Sequence, residues 1–458
     1  MSIIKALALV CVLGRTAVAD EDPETRSRRL ETRIEELLSH QRQLETRVSE
    51  LEHKPVPPSS SPSPSPQPLF AVGTRDSGFQ LRLRGLIQAD GRDYWGQTPN
   101  PDSTFLIRRA RPYIEGTVAN LVDFRLMADF GQGTVQLLEA FIDLHPWRWL
   151  RLTGGKLKTP FGLERLQTDQ YLSFVERGLP SNLAPDRDVG ADLHGDVFGI
   201  LDYDLGVFNG AVDGANSDFD ANYGKDVVAR VFSHPLARVT QKVRLGLGLG
   251  VTWGRQRGNV TATQLPAYRT AGQQTFFGYV TDAKDASNTV FAAGDRLRMA
   301  PQLDFYAGPV GLFAEYIWVA NDVASGMVLA PVRLVHSSFQ IAATLVLTQE
   351  LATREGVVPR RPLDLRRLRQ GYIGAFELGA RYEELHIDIA AFPRFADPTK
   401  SARAARAFGV ELNWWMTTML KLAFLFERTA FEGGAGSVAV VTDKRAENVF
   451  IGRGQLAF

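Results

Sequence analysis

Residues 111–130 read RPYIEGTVANLVDFRLMADF. On an extended backbone Val122, Phe124, Leu126, Ala128 and Phe130 share one face, while Asp123, Arg125, Met127 and Asp129 share the other. This is a strand with an apolar side and a charged side. A soluble sandwich alternates too, but one face on lipid and the other on a watery lumen is the arrangement of a membrane β-barrel.

The same period recurs outward in both directions. Leu81, Leu83 and Ile87 alternate with Gln80, Arg82, Arg84 and Gln88; Val243, Leu245, Leu247, Leu249, Val251 and Trp253 alternate with Arg244, glycines and Thr252. Phe376, Leu378, Ala380 and Tyr382 oppose Glu377, Arg381 and Glu383, and Leu422, Phe424 and Phe426 oppose Lys421 and Ala423. Beyond the extreme N-terminus no segment approaches the roughly 18 apolar residues of a membrane helix. Any crossing is therefore by strands.

Both ends fit an exported barrel. Lys5, the apolar run Ala6–Leu13 and the Ala17-Val18-Ala19 site predict a signal peptide over residues 1–19. Cys11, the only cysteine, lies inside it, so the mature chain is expected to carry no thiol, disulfide or Cys-based metal site. The chain ends on Leu456 and Phe458, on one strand parity. A terminal aromatic strand suits an outer-membrane barrel.

Composition excludes other classes. Lys and Arg number 52 against 51 Asp and Glu, so there is no basic field of the kind nucleic-acid proteins show. Cleavage after Ala19 removes two cations and no anion, taking the formal charge from +1 to −1. Mean hydropathy of −0.13 is too polar for a helical membrane protein and ordinary for strands that are half polar.

Two segments precede the strands. Leu30, Ile34, Leu37, Gln41, Leu44, Val48 and Leu51 form a heptad seam, predicting a coiled-coil helix over residues 20–54. A lone surface helix is the alternative. β-Branched a positions with Leu at d nominally favour dimers, and the seam by itself leaves the oligomer open. Residues 55–74, with PVPPSSSPSPSPQP at 55–68, read as a polyproline-like spacer of about 3.1 Å per residue. Residues 75–458 are then the barrel.

Several stretches together carry a resemblance. RRARPYIEGTV (108–118), DFRLMADFG (123–131), GGKLKTPFGLERLQ (154–167), FVERGLP (174–180), NLAPDRDVGADLHG (182–195), GVFNG (206–210), GAFELGARYEEL (374–385) and ENVFIGRGQLAF (447–458) resemble the phosphate-selective porin O/P family of bacterial outer membranes. The likeness runs over residues 79–458, strongest from Arg108 to Gly210 and weakest from Gly254 to Pro362. It implies an all-β, transmembrane antiparallel barrel, usually a homotrimer, whose inward-folded loops and lumenal Arg and Lys attract small anions. The barrel region supports about sixteen strands of ~24 residues each with their connections. The expected place is the bacterial outer membrane, with lipid outside the barrel and the N-terminal helix in the periplasm, where it could touch the cell wall.

The expected chemistry is passage. A basic wall lowers the barrier for an anion in a narrow constriction, provided binding stays weak. Arg82, Arg84, Arg109, Arg111 and Arg125 have lumen parity; Arg108 has lipid parity and is expected to snorkel at the interface. Lys156 and Lys158 oppose Arg151 and Thr153 in parity, so both pairs reach the lumen only if Gly154-Gly155 forms a bulge. Residues 159–188 should be the third outer loop, folded inward, with Arg165, Arg177 and Arg187 as constriction candidates. Its acids Glu164, Asp169, Glu176, Asp186 and Asp188 offer a blander role, pinning the loop. Lumenal Asp123, Asp129, Glu139, Glu315 and Glu377, and 43 basic against 41 acidic residues from Pro55 on, predict a mixed lumen with modest anion preference.

Enzymatic and cofactor readings find no pattern. The seven His, at 40, 53, 145, 194, 234, 336 and 386, lack metal-like spacing, and no Gly-rich phosphate loop opens a helix. Asp192 and His194 share a strand face, as a simple polar contact would also require. Arg360, Arg361, Arg366, Arg367 and Arg369 form a basic run suited to lipid phosphates, a pore mouth or a solvated turn, and strand counting puts it among periplasmic turns that should be short. The competing class is an envelope-anchoring protein whose barrel conducts little.

Overall fold

The computed structural model describes Ser39 and residues 70–74, 78–97, 101–218, 220, 224–240, 242–282 and 284–458. The expected signal segment, nearly all of the heptad helix and most of the spacer lie outside them. Twenty strands form among the described residues. The first ten are β1 (Phe70–Thr74), β2 (Phe79–Trp95), β3 (Thr104–Val118), β4 (Val122–Asp129), β5 (Gln136–Trp147), β6 (Leu150–Lys158), β7 (Arg187–Val197), β8 (Leu201–Phe208), β9 (Asp226–Ser233) and β10 (Val243–Arg257). Then come β11 (Ala267–Arg269), β12 (Thr275–Gly278), β13 (Val290–Ala307), β14 (Val310–Ser325), β15 (Val328–Val346), β16 (Ala375–His386), β17 (Ala402–Trp415), β18 (Leu420–Gly436), β19 (Val441–Asp443) and β20 (Glu447–Ala457).

Sixteen of these close a barrel. Each pairs antiparallel with its chain neighbours, and β2 closes the ring by pairing with both β3 and β20. The short β1, cut from the end of the expected spacer, adds to the lower part of β2; β19 adds to β18, and β11–β12 make a small separate hairpin. The terminal Phe458 completes the seam, exchanging backbone bonds of 2.9 and 3.0 Å with Gly85. The Phe458 ring packs over Gly85, where a Cβ would stand 2.4 Å from it and the ring would have to move.

The alternation sorts faces as the sequence predicts. Leu83, Ile87, Ile114, Leu126, Ile142, Leu152, Leu247, Phe408 and Phe424 are exposed on the outside, while Gln88, Asp90, Arg92, Arg111, Glu139 and Arg453 are buried inside. Outward aromatic pairs, Trp147–Trp149 at 5.4 Å and Phe376–Trp414 at 5.6 Å, stand at the short-turn end, where an aromatic girdle belongs. The packed core is therefore in the lumen. At the long-loop end Phe161, Leu179 and Leu183 from residues 159–186 pack with Phe276, Phe277, Leu385 and Phe395.

One connection at the short-turn end is long. Residues 347–374, between β15 and β16, carry the basic run and fold back upward, so that Val346, Ala352, Val357 and Trp415 bury together. Arg354 reaches the carbonyl of Leu163 at 2.9 Å, joining this turn to the inward loop. The far half of the lumen, along β13–β18, is thus packed from both ends.

Candidate functional site

The third loop, residues 159–186, crosses the lumen and is bonded on both walls. On one wall Asp169 meets Arg109 at 3.2 Å and also Arg111. On the other, Val175 N donates to Glu411 at 2.7 Å, Leu179 N to Glu383 at 3.0 Å, and Lys421 Nζ donates to the Leu172 carbonyl at 2.8 Å. Glu176 gathers Arg92 at 2.8 Å, Arg108 at 2.6 Å and Arg453 at 3.0 Å. These contacts hold the loop to both walls, and Glu176 and Arg177 find partners elsewhere rather than each other.

Burial alone would raise these carboxyl pKa values, but the surrounding guanidinium groups outweigh it. Arg109, Arg111 and Arg177 hold Asp169 well below the ordinary carboxylate range, and Arg108, Arg109, Arg453 and Arg92 do the same for Glu176. Asp186 is lowered likewise, by Arg187, Arg165 and Arg177. The loop stays anionic where it is anchored.

Among the described residues, two cavities of about 500 Å³ each lie along the β2–β8 side. The first is lined by Arg84, Glu115, Arg125, Glu139, Lys158 and Asp192, among others. The second, toward the long loops, is lined by Arg108, Arg109, Asp129, Arg165, Arg177 and Asp213, among others. Arg111 and Arg187 line both. Each is partly neutralised: Arg111 meets Asp129 at 2.6 Å, and Arg187 meets Glu139 at 3.0 Å and Asp186 at 3.1 Å.

Most of the residues singled out in sequence line one or both of these cavities. Arg84 and Arg125 share Glu115, at 2.6 and 2.9 Å, and Arg125 also reaches Glu139 at 3.1 Å. Arg82 is more exposed and stands 4.0 Å from Glu115. Arg165 caps the Ser181 carbonyl and lies 3.6 Å from Asp186, while Arg177 binds the carbonyls of Glu164 and Gln167 at 3.2 and 2.7 Å.

Three expectations are corrected. Arg108 does not snorkel outward. The β2–β3 register slips between Gln88 and Ala89, leaving Arg108 as the extra residue of a bulge that turns its side chain inward onto Glu176. The Gly154-Gly155 bulge that would bring both residue pairs into the lumen is absent, since both glycines pair one-to-one with β5 and β7. Lys156 accordingly keeps the parity opposite to Thr153, lines neither cavity, and donates to the Leu137 carbonyl at 2.6 Å and to Asp218. Lys158, last in its strand, turns in through the Leu166 and Gln167 carbonyls at 3.3 and 2.9 Å.

Sequence reasoning also missed much of the charged seam. Asp90, Arg92 and Arg453 carry it, and all three sit on lumen parity with Gln88 or Gln455. Following alternation to the strand ends would have found them. Arg296 and Arg298, fully buried against Asp213 and Asp226, needed the fourth loop to be seen inside the barrel.

With the geometry in hand, sequence comparison is decisive: residues 79–430 match the family described as phosphate-selective porin O and P. The chain belongs to that family. This porin is accordingly a passive channel of the outer membrane. No curated protein sequence matches it. Solved barrels share its fold: the outer membrane channel DcaP of Acinetobacter baumannii, 8% identical with a TM-score of 0.51, covers 85% of this chain and 100% of its own. OprB of Pseudomonas putida, 10% identical with a TM-score of 0.52, covers 84% and 95%. OmpT of Vibrio cholerae, 10% identical with a TM-score of 0.50, covers 85% and 100%.

Proposed function

We propose that this porin passes small hydrophilic solutes with a modest preference for anions such as phosphate, along the wall from β2 to β8. The observation that carries this reading is that Arg111 and Arg187 line both cavities, so a solute moving between them meets two guanidinium groups. Guanidinium groups bind phosphate and carboxylate oxygens through paired N–H donors. Their carboxylate partners keep binding weak, which favours release over trapping. Single channels in a planar bilayer under a potassium chloride gradient test this, and a reversal potential on the anion side is expected.

The porin is further proposed to act as a homotrimer. β4, β8 and β9 have 8 residues each, against 18 in β13 and 17 in β18. Eight residues tilted by about 45° rise only ~19 Å, short of a ~25 Å apolar band. A neighbouring copy would shield that low wall. The signal peptide over residues 1–19 and the periplasmic helix over 20–54 complete the proposal, with the helix reinforcing assembly and free to touch the cell wall through the spacer.

One observation favours the second reading, an envelope-anchoring protein that conducts little. The third loop and residues 347–374 meet through Arg354 and fill the far half of the lumen. Stepwise conductance of purified oligomers separates the two, because an anchoring barrel would show few open channels.

A further inference from the structure

Asp192 and His194 on β7 and Asp204 on β8 each bring one ligand atom within 4.8 Å of the others. The register explains how. His194 faces Asp204 directly, and Asp192 faces Gly206, where a Cβ would come within 2.9 Å of Asp192 Oδ1. All three line the first cavity, which gives an ion a way in.

A second, independent observation points to a cation. Asp192 is 3% exposed, and its Oδ1 is buried with no hydrogen-bond partner. An unpaired buried carboxylate oxygen is costly, and a bound cation would remove that cost. The neighbouring charges leave room for it. Arg230 approaches Asp204 Oδ2 at 3.4 Å and Arg151 binds Asp143, so three carboxylates face two guanidinium groups. His194 Nε2 stands 2.9 Å from Thr153 Oγ1 and 3.5 Å from Asp143, which would leave Nδ1 for an ion. A metal-ligating imidazole is usually oriented by such groups.

We infer that Asp192, His194 and Asp204 bind a divalent transition-metal ion of the zinc class on the channel wall. One imidazole and two carboxylates match the donors zinc accepts, with a fourth position open to the cavity. Calcium would ask for more oxygen ligands than this wall provides. The sequence spacing concealed the site because the third ligand arrives across a strand pair. The inference does not depend on the anion reading, since it concerns equilibrium binding and not conduction.

The test uses the folded, tag-free mature porin in detergent, stripped with chelator and titrated with zinc chloride by calorimetry. His194→Ala and Asp192→Asn are titrated in parallel, with heat-modifiable migration as the check that each barrel is folded. We expect one saturable equivalent per chain, weakened at least about tenfold in both variants. Absence of saturable binding, or binding unchanged in the variants, overturns the inference. Should both variants fail to fold, anomalous diffraction from zinc-soaked wild-type crystals decides: an ion between these three residues upholds the site, and its absence there refutes it.

Discussion

Arg453 on the last strand holds Asp90 on β2 through two bonds, of 2.6 and 2.8 Å, across the seam that closes the barrel. The same guanidinium reaches Glu176 in the third loop at 3.0 Å. Ring closure and loop placement thus share one buried charge cluster. A buried pair broken on one side leaves an uncompensated charge, which costs about 3–5 kcal/mol.

Glu176→Ala should therefore do more than remove a contact. It leaves Arg92, Arg108 and Arg453 crowded without their shared anion, so the loop should detach while the strand ladder persists. Larger and noisier single-channel conductance is expected, with a clear fall in the temperature at which the heat-modifiable form is lost. Conductance and stability both like wild type would contradict the anchoring role of this residue.

The pH dependence follows from the lowered pKa values of Asp169, Glu176 and Asp186. For a carboxylate depressed in the folded state, the stabilisation is complete above its unfolded pKa of about 4 and is lost as pH falls through the folded value. Anchoring through these three carboxylates should hold from pH 7 to about 5 and weaken only in stronger acid. Single-channel noise followed across that range checks it, and a loosening already complete at pH 5 would contradict the assignment.

Gly155 offers a test of the backbone. Its φ of +129° is one that residues with a Cβ rarely adopt, and a Cβ would meet the Ala140 carbonyl oxygen at 2.3 Å. Gly155→Ala should destabilise the barrel by about 1–3 kcal/mol, read as earlier thermal unfolding with selectivity unchanged.

Deleting residues 20–54 should leave conductance per channel as it is while weakening oligomers in mild detergent. The spacer decouples that segment from the strands, and tethering several helices to one assembly raises their effective concentration. Loss of all folded barrel would show that the segment serves folding instead.

How much of this was legible in sequence depends on the range of each interaction. The face of Leu126 against that of Arg125 is set by two-residue alternation, and so were the barrel and the basic wall at Arg84, Arg111 and Arg125. Arg108 was misread because a bulge resets parity by one residue, and the run Arg108-Arg109-Ala110-Arg111 gives no sign of where it falls. Glu383 and Glu411, which receive the loop backbone, lie more than two hundred residues from it in the chain. Period-two patterning cannot report such pairings, so the filled half of the lumen stayed hidden.

A solute on the proposed path along the β2–β8 wall meets both Arg111 and Arg187, which line the two cavities. Reversal potential in a potassium chloride gradient, for wild type against Arg111→Gln with Arg187→Gln, tests it most directly. The variant should move toward potassium selectivity, by less at 1 M salt, where the Debye length is about 3 Å. Arg109→Gln with Arg111→Gln should shift it in the same direction. Folded channels whose reversal potential is unchanged by losing both Arg111 and Arg187 would place the solute path elsewhere.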